Sequence, residues 1–315
     1  MSTDLHNGKT FQRFTTKNLV LATLISLAYL GIAYFLIGWR PDHLHLCLAC
    51  LAAYFALPFT RKIFWAFLFF IVYWFIYDSL RVYPNYMVNP VNIESLYNLE
   101  KSIFGFQTPE GFLTPNEYAK ANSNQFLDVL APSFYLCWVP LPMLFVIYLF
   151  FTDRSTMARF TSAFLLINIV GLIIYYIYPA APPWYVEEHG FKFIEGTPGS
   201  AARLLRFDDY FNVSIFKDMY EKNGNVFAAI PSLHSAFPVL LVYYALKKKM
   251  FKVSIFFFII LAGIWFAAVY TNHHYIIDVF LGGATGLLSI LFLEKILLKT
   301  RVKDWLANYE ALMRD

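Results

Sequence analysis

The sequence predicts an all-α fold, a polytopic membrane helical bundle with about eight transmembrane helices. Hydrophobic residues make up 59% of the 315 residues and charged residues only 15%, whereas about a quarter of a typical soluble domain is charged. Apolar runs near the length that crosses a bilayer recur along the chain. The net charge of +4 is spread in short clusters between these runs, which is typical of membrane topology and not of nucleic-acid binding.

Eight apolar segments are candidates for membrane helices, because each approaches the roughly 20 residues that cross the hydrocarbon core. In chain order they are residues 19–39, 45–59, 63–77, 129–151, 160–178, 231–246, 253–270 and 275–298. The first is too long for the core of a signal peptide and no small-residue cleavage site follows it, so we expect it to remain as an anchor. The second and third are short for a full span.

The charged residues between these segments define two sides of the bundle. One side holds both termini and three short turns, with 16 basic and 6 acidic residues, and the other side holds 9 basic and 15 acidic residues. Because cytoplasmic loops are enriched in Lys and Arg, we expect both termini in the cytoplasm. Two long connections, residues 78–128 and 179–229, then lie on the periplasmic or luminal face.

The first chemical motif is a histidine and an aspartate four residues apart at the start of the last segment. His274 and Asp278 would lie on one helical face, one turn apart. A carboxylate that accepts a proton from one imidazole nitrogen leaves the other nitrogen free as a base or nucleophile. The alternative is an interfacial pair that only faces water. Gly282 and Gly286 continue the spacing of four, so we expect this face to pack closely against another helix.

A second motif, Pro-Ser-Leu-His-Ser at residues 231–235, opens the sixth segment on the same side. Proline suits the first position of a helix, and the free backbone N–H groups that follow can bind an anion, to which the Ser232 hydroxyl can add. Pro238 cannot bond the carbonyl of His234, so we expect a local kink there. The alternative is an ordinary helix start that carries an incidental histidine.

Two arginines in the second long connection are candidates for gripping a phosphate. Ser200 could cap a short helix that presents Arg203 and Arg206. A guanidinium binds phosphate in bidentate fashion, which makes these two residues the predicted clamp. The alternative for either arginine is ordinary snorkelling to lipid headgroups.

The two histidine motifs resemble those of the type 2 phosphatidic acid phosphatase superfamily. Members carry a Pro-Ser-Gly-His element and, later, a Ser-Arg followed by a histidine and an aspartate four residues apart. The order of the motifs and the spacing of His274 and Asp278 agree with this pattern. Leu233 stands in place of the glycine, and Ala267 and Ala268 stand where Ser-Arg would be. No Lys, six residues, Arg-Pro element is visible.

These departures resemble a narrower branch, the inositol phosphorylceramide synthases that are the aureobasidin target. The motifs that carry this resemblance are residues 181–185, 199–206, 231–235, the His273-His274-Tyr275 run with Asp278 and, more loosely, 96–105. The resemblance covers roughly residues 75–290 and implies a six-helix core like that of the superfamily. It leaves the first two helices outside.

The resemblance implies a double displacement at phosphorus. His274 would be the nucleophile, Asp278 would orient it, and His234 would serve as acid and base. The substrate contacts would be Ser232, Arg206 as the first choice for the phosphate clamp, Arg203 as the second, and His273. The partners would be a phospholipid donor, for which phosphatidylinositol is the expected choice, and a ceramide-like lipid acceptor, and no cofactor is implied.

The same assignment divides the chain into three parts. Residues 1–62 would hold an N-terminal cytoplasmic segment and two additional transmembrane helices, residues 63–300 the catalytic membrane domain, and residues 301–315 a cytoplasmic tail. Cys47, Cys50 and Cys137 lie inside apolar runs and are interpreted as small packing residues.

Three other functions are alternatives to a phosphotransferase. A hydrolase of the same fold would remove phosphate from a lipid or an isoprenoid diphosphate. A transporter is disfavoured because no ionisable residue lies near the middle of any of the eight segments, where coupling groups usually sit. A metal enzyme is disfavoured because the side chains of His273 and His274, adjacent on a helix, diverge by about 100° and cannot easily share one ion.

Overall fold

The computed structural model describes residues 14–221 and 224–314, and most of this part of the chain is helical. The α-helices are α1 Thr16–Ile32, α2 Pro41–Phe55, α3 Pro58–Ser79, α4 Glu94–Phe104, α5 Pro115–Ala121, α6 Gln125–Tyr135, α7 Pro140–Thr152, α8 Arg154–Ile177, α9 Pro183–His189, α10 Leu205–Phe211, α11 Ile215–Glu221, α12 Leu233–Lys247, α13 Phe251–Tyr270, α14 Ile276–Lys295 and α15 Val302–Arg314. A short antiparallel hairpin joins β1 Phe106–Thr108 to β2 Gly111–Leu113.

All eight predicted segments are helical, which agrees with the predicted bundle, but they differ in length. Among the described residues five stretches are long and apolar enough to cross a membrane: Thr16–Ile37, Pro58–Ser79, Arg154–Ile177, Phe251–Tyr270 and Ile276–Lys299. Helices α6 and α7 form a sixth span if the pair, bent by 41°, counts as one. Helices α2 and α12 have only 15 residues each, about 22 Å at 1.5 Å per residue, against roughly 30 Å of hydrocarbon.

The chain divides into two compact units. The smaller unit comprises the described residues up to Leu68 together with those from Ala311 onward. In it α1 and α2 are held together by aromatic contacts, such as the ring of Tyr29 against that of His43, with centroids 6.0 Å apart. The larger unit, Phe69–Glu310, carries both histidine motifs.

Helix α12 lies inside the larger unit, where it packs against α8, α13 and α14. Its close approach to α14 depends on the two predicted glycines. A Cβ atom at Gly282 would lie 2.1 Å from the carbonyl oxygen of Ser232, and one at Gly286 would lie 2.9 Å from that of Ala236. The prediction that this face of the last helix points into the bundle is therefore confirmed. Pro238 lies within α12, and the helix continues through it.

Ion pairs join the ends of α8, α12 and α14 at one end of the larger unit. Lys247 pairs with Glu294 at 2.5 Å, and Lys248 pairs with Asp153 at 2.6 Å. His234 lies in the first turn of α12 and His274 lies just before α14, whereas Lys247 and Glu294 lie in the last turns of these helices, so the histidine motifs lie at the opposite end. Both motifs therefore share one end of the helices, as the charge distribution predicts.

The two long connections are structured rather than open loops. The first carries α4, the hairpin and α5, and the second carries α9, α10 and α11. Asn85, in the first connection, donates from Nδ2 to the carbonyls of Tyr175 and Phe227 at 2.9 and 2.7 Å. Backbone bridges join Asn92 to Ala180 and Ala180 to Ala228. The connections are thus bonded to each other at the end of the unit that holds the histidine motifs.

Candidate active site

Two histidines from different helices meet at this end of the larger unit. Nδ1 of His234, in the first turn of α12, lies 3.2 Å from Nε2 of His274, in the turn before α14. His274 is 6% exposed and His234 is partly buried, so His274 is the more shielded of the two. A hydrogen bond between two imidazoles requires one nitrogen to donate and the other to accept, so the pair can share and relay a proton.

Asp278 stands behind His274, on the side away from His234. Its Oδ2 lies 3.5 Å from Nδ1 of His274 and accepts a hydrogen bond of 2.9 Å from the backbone N–H of Tyr275. The side chain is fully buried. A 3.5 Å separation is an ion-pair distance, and catalytic contacts of this kind often shorten when substrate binds. At this distance Nδ1 of His274 makes no hydrogen bond, but Asp278 is the carboxylate placed to accept one from it.

The backbone of Asp278 also ties the two motifs together. Its carbonyl accepts a hydrogen bond of 3.0 Å from the N–H of Ser232, one residue before α12. Ser232 is fully buried, and its Oγ accepts from Oγ of Ser235 at 3.1 Å. The Ser232 side chain makes no capping hydrogen bond to the first turn of α12. The Ser232 hydroxyl therefore does not occupy the predicted anion site at this helix start.

Aromatic rings form a wall beside the two histidines. The ring of Tyr135 lies 4.9 Å from that of His234 and 5.6 Å from that of His273, and Trp138 lies 4.6 Å from His234. The hydroxyls of Tyr135 and Tyr220 are 2.9 Å apart. Sequence reasoning missed these residues, because the chain has 22 tyrosines and 7 tryptophans and no local pattern distinguishes the ones near the site.

His273 lies next to this wall and is tightly buried. Its Nδ1 is 3.2 Å from the hydroxyl of Thr271, and its ring lies 4.6 Å from that of Tyr220. Burial, helped by the neighbouring His274, lowers the pKa of His273 to about 3. The residue is therefore neutral at physiological pH and can offer a hydrogen bond but not a positive charge.

The two arginines predicted as a clamp have different surroundings. Arg203 is buried, pairs with Glu187 at 2.7 Å and donates to the carbonyls of Asn116 and Tyr270 at 3.0 and 3.2 Å. Its guanidinium is thus largely occupied by protein groups. Arg203 also contacts the turn before α14 through its backbone N–H, which donates to the carbonyl of Thr271 at 3.3 Å.

Arg206 is more open than Arg203. It pairs with Asp128 at 3.0 Å, and 35% of its side chain is exposed. The hydroxyl of Tyr270 donates to the same carboxylate at 2.7 Å. A single ion pair leaves most of the five guanidinium N–H groups of Arg206 able to bind another anion.

Asn116, a residue that sequence reasoning missed, holds the backbone of His274. Its Nδ2 donates to the carbonyl of His274 at 3.0 Å and to that of Val269 at 2.9 Å. Asn116 lies in α5, which begins with a capping box between Thr114 and Glu117. That capping pattern is visible in the sequence and predicts the helix, but it does not indicate which distant residue the asparagine meets.

The part of the chain that the structure describes has no evident set of side chains that could bind a metal ion. No three side chains of His, Cys, Asp or Glu in these residues converge on a point that could hold an ion. Cys47, Cys50 and Cys137 are free thiols.

The part of the chain that forms this site matches a known protein family. Residues 109–292 match the PAP2 superfamily. This range includes both histidine motifs, Asp278, Asn116 and the aromatic wall. No solved structure gives a significant match.

Named relatives are similar over most of the chain. It is 45% identical over 287 residues to a phosphoinositol dihydroceramide synthase of Bacteroides thetaiotaomicron, a match that covers 90% of this chain and 94% of the relative. It is 26% identical over 269 residues to the catalytic subunit of an inositol phosphorylceramide synthase of Schizosaccharomyces pombe, covering 79% and 58%. An inositol phosphorylceramide synthase of Candida albicans is 29% identical over 182 residues, covering 54% and 36%.

Proposed function

The chain belongs to the PAP2 superfamily, and from this premise we propose that it transfers phosphoinositol from phosphatidylinositol to the hydroxyl of a ceramide-like lipid. The family resemblance inferred from the histidine motifs is thereby confirmed. The choice of substrates is supported by the names of the similar proteins, above all the relative that is 45% identical over nearly its whole length. The observation that carries the chemistry is the contact between His234 and His274.

In the first step, Nε2 of His274 attacks the phosphorus of the donor lipid. The bond from phosphorus to the diacylglycerol oxygen breaks, and a new nitrogen–phosphorus bond forms on His274. His234, holding a proton, gives it to the departing oxygen, so that diacylglycerol leaves as a neutral alcohol. Asp278 stabilises the positive charge that develops on the His274 ring.

In the second step, the acceptor takes the place of diacylglycerol. His234, now neutral, removes the proton from the acceptor hydroxyl as its oxygen attacks the phosphorus. The nitrogen–phosphorus bond breaks, and His274 returns to its starting state. Using one residue as acid and then as base requires it to stand near both the leaving and the entering oxygen, and the position of His234 beside the nucleophile supports this role.

The phosphate must enter between the two imidazoles. Its binding therefore replaces the hydrogen bond that joins His234 to His274. The first turn of α12 carries backbone N–H groups with no side-chain cap, which supports a role in holding the phosphate oxygens. Ser232 lies at this position, and Arg206 is the available cation for the outer part of the headgroup. His273 would donate or accept a hydrogen bond beside them.

The membrane orientation follows from the charge distribution. We place both termini in the cytoplasm and the histidine pair on the periplasmic or luminal face, because the basic residues concentrate on the side of the termini. The donor and acceptor headgroups would then be drawn from the outer or luminal leaflet.

The decisive experiment supplies purified protein in detergent with phosphatidylinositol and dihydroceramide, and follows the lipids. We expect a new inositol-containing sphingolipid and an equal amount of diacylglycerol. Release of inositol phosphate or inorganic phosphate without this product would indicate a hydrolase and contradict the transferase proposal. The His274→Ala variant serves as the inactive control.

A further inference from the structure

A buried carboxylate outside the histidine pair contacts the start of the helix that carries Asp278. Glu100, in α4, is fully buried. Its Oε1 accepts a hydrogen bond of 3.0 Å from the backbone N–H of Ile276, and its Oε2 accepts one of 3.1 Å from that of Ile277. These residues are separated by about 176 positions in the chain. The contact therefore fixes α4 to the first turn of α14.

The first N–H groups of a helix have no partner within the helix. In α14 two carboxylates supply partners for three consecutive ones: Asp278 accepts from Tyr275, and Glu100 accepts from Ile276 and Ile277. His274 is the residue directly before this capped turn. The path of the backbone through the capped turn therefore sets where the His274 ring lies relative to Asp278.

Burying the Glu100 carboxylate costs free energy, because its charged form loses contact with water. Among the described residues no Lys or Arg forms an ion pair with it, so its charge is supported by the two backbone N–H groups and by the positive end of the helix dipole. Burial raises the pKa of Glu100 to about 7 in spite of these bonds. An apolar residue would cover the same surface without this cost, but it could not bind the two N–H groups.

Other contacts fix α4 against α14 and against the turn that carries His274. Leu96 is buried in a cluster with Ala180, Ala229 and Tyr275, and the ring of Phe104 stacks on that of Phe280 in α14, with centroids 6.2 Å apart. From the other side, Asn116 binds the carbonyl of His274. The backbone around His274 is thus held both before and after the residue by groups from the first long connection.

We propose that Glu100 is a positioning residue, which fixes the first turn of α14 and thereby the distances from His274 to Asp278 and to His234. The inference rests on the proposed function, because it takes His274 as the nucleophile. Glu100 touches no reacting atom. It acts through the backbone of Ile276 and Ile277, so its loss should slow the chemical step and leave lipid binding nearly unchanged.

Two variants and one control test this inference. Glu100→Ala removes both acceptors. Glu100→Gln keeps the shape and one acceptor but turns an amide N–H toward the second backbone N–H, so it is the variant to use if Glu100→Ala does not fold. Glu94→Gln is the matched control, because Glu94 lies on the exposed surface of the same helix. Turnover, KM for each lipid and melting temperature are measured for all three.

We expect kcat to fall on the order of 100-fold in Glu100→Ala and by less in Glu100→Gln, with KM for both lipids within about twofold of the wild-type value. The control should match the wild type. An unchanged kcat in both Glu100 variants, or a raised KM with kcat unchanged, would overturn the inference. If the wild-type protein releases phosphate instead of transferring it, the proposed acceptor is wrong, but the rate of release still tests Glu100, because both reactions begin with attack by His274.

Discussion

Nδ1 of His234 lies 3.2 Å from Nε2 of His274, although 40 residues separate them in the chain. The contact exists because α12 and α14 approach closely enough for the carbonyl of Ser232 to occupy the space where a side chain on Gly282 would lie. The bond from the Ser232 N–H to the carbonyl of Asp278 fixes the register of the two helices. The glycine and the histidines therefore belong to one arrangement, in which helix packing sets the distance between the two imidazole nitrogens.

The proposed role of His234 as an acid can be tested by comparing two donor lipids, one whose leaving group needs a proton and one whose leaving group does not. His234→Gln should lower turnover with phosphatidylinositol by roughly 10²- to 10⁴-fold, the usual contribution of a general acid or base. A phosphodiester donor with an acidic aryl alcohol as leaving group needs no proton. We therefore expect this donor to form the phosphorylated enzyme at close to the wild-type rate in the variant. An equal loss with both donors would contradict the assignment.

Much of the site could be predicted from local sequence patterns. The spacing of four between His274 and Asp278, and that between Gly282 and Gly286, follow from the helical repeat alone. In the structure Gly282 and Gly286 lie in α14 as that repeat predicts, whereas His274 lies in the turn before the helix and approaches Asp278 from there. The position of His234 beside His274, however, follows from the order of motifs in the family and not from periodicity.

The residues that sequence reasoning missed act through contacts between distant parts of the chain. Asn116 reaches a carbonyl 158 positions away, and Tyr135 reaches a histidine in a different helix. The length of the third segment was also mispredicted, since residues 63–77 were expected whereas α3 covers Pro58–Ser79 and is long enough to cross a membrane. The bend between α6 and α7 lies where Pro140 follows a short 3-10 turn, and prolines commonly break a helix there.

The nucleophile assignment predicts a covalent intermediate. After brief incubation with donor lipid carrying labelled phosphorus and then acid-free denaturation, the wild-type protein should retain label that is stable to base and lost in acid. His274→Ala should retain none, because the attacking nitrogen is absent. His189→Ala, a histidine that contacts Tyr185 and is outside the pair, is the control and should label normally. Wild-type labelling in His274→Ala would show that another group is attacked.

The glycine contact predicts a strong effect from one added methyl group. Gly282→Ala places a Cβ atom 2.1 Å from a backbone oxygen that cannot rotate away, so α12 and α14 must separate. We expect a loss of roughly 1 to 3 kcal/mol in stability, seen as a lower melting temperature, and reduced turnover as the histidines move apart. Gly31→Ala, where no atom lies within 4 Å of the added carbon, is the matched helical control. Equal melting temperatures for the two variants would contradict the packing explanation.

Replacing Arg206 and replacing Arg203 should cause two different defects. Arg206→Ala should raise KM for the donor roughly 10- to 100-fold, since a charge-assisted hydrogen bond to phosphate contributes roughly 1.5 to 3 kcal/mol, and it should leave the melting temperature nearly unchanged. Arg203→Ala should instead lower the melting temperature, because two backbone carbonyls and Glu187 lose their partner. Arg206→Lys restores charge without the planar fork and should lie between. If Arg203→Ala changes KM alone, the clamp assignment moves to Arg203.

The low pKa of His273 predicts that the folded protein loses stability as the pH falls. Its pKa is about 3 in the folded protein, against about 6.5 in an unfolded chain, so between these values the unfolded state binds more protons. The stabilising contribution of neutral His273 is therefore complete above about pH 6.5 and is lost as the pH falls toward 3. Between pH 6.5 and pH 5 the loss amounts to about 2 kcal/mol.

The measurement compares melting temperatures in detergent from pH 7.5 to pH 5 for the wild-type protein and for His273→Asn, which cannot gain the proton. Histidines far from His273 titrate equally in both proteins, so the difference between the two curves reports the group around His273. We expect the curves to converge as the pH falls, because only the wild type loses this contribution. Parallel curves would mean that His273 reaches water, and would remove the case for a neutral imidazole beside the Tyr135 and Tyr220 hydroxyls.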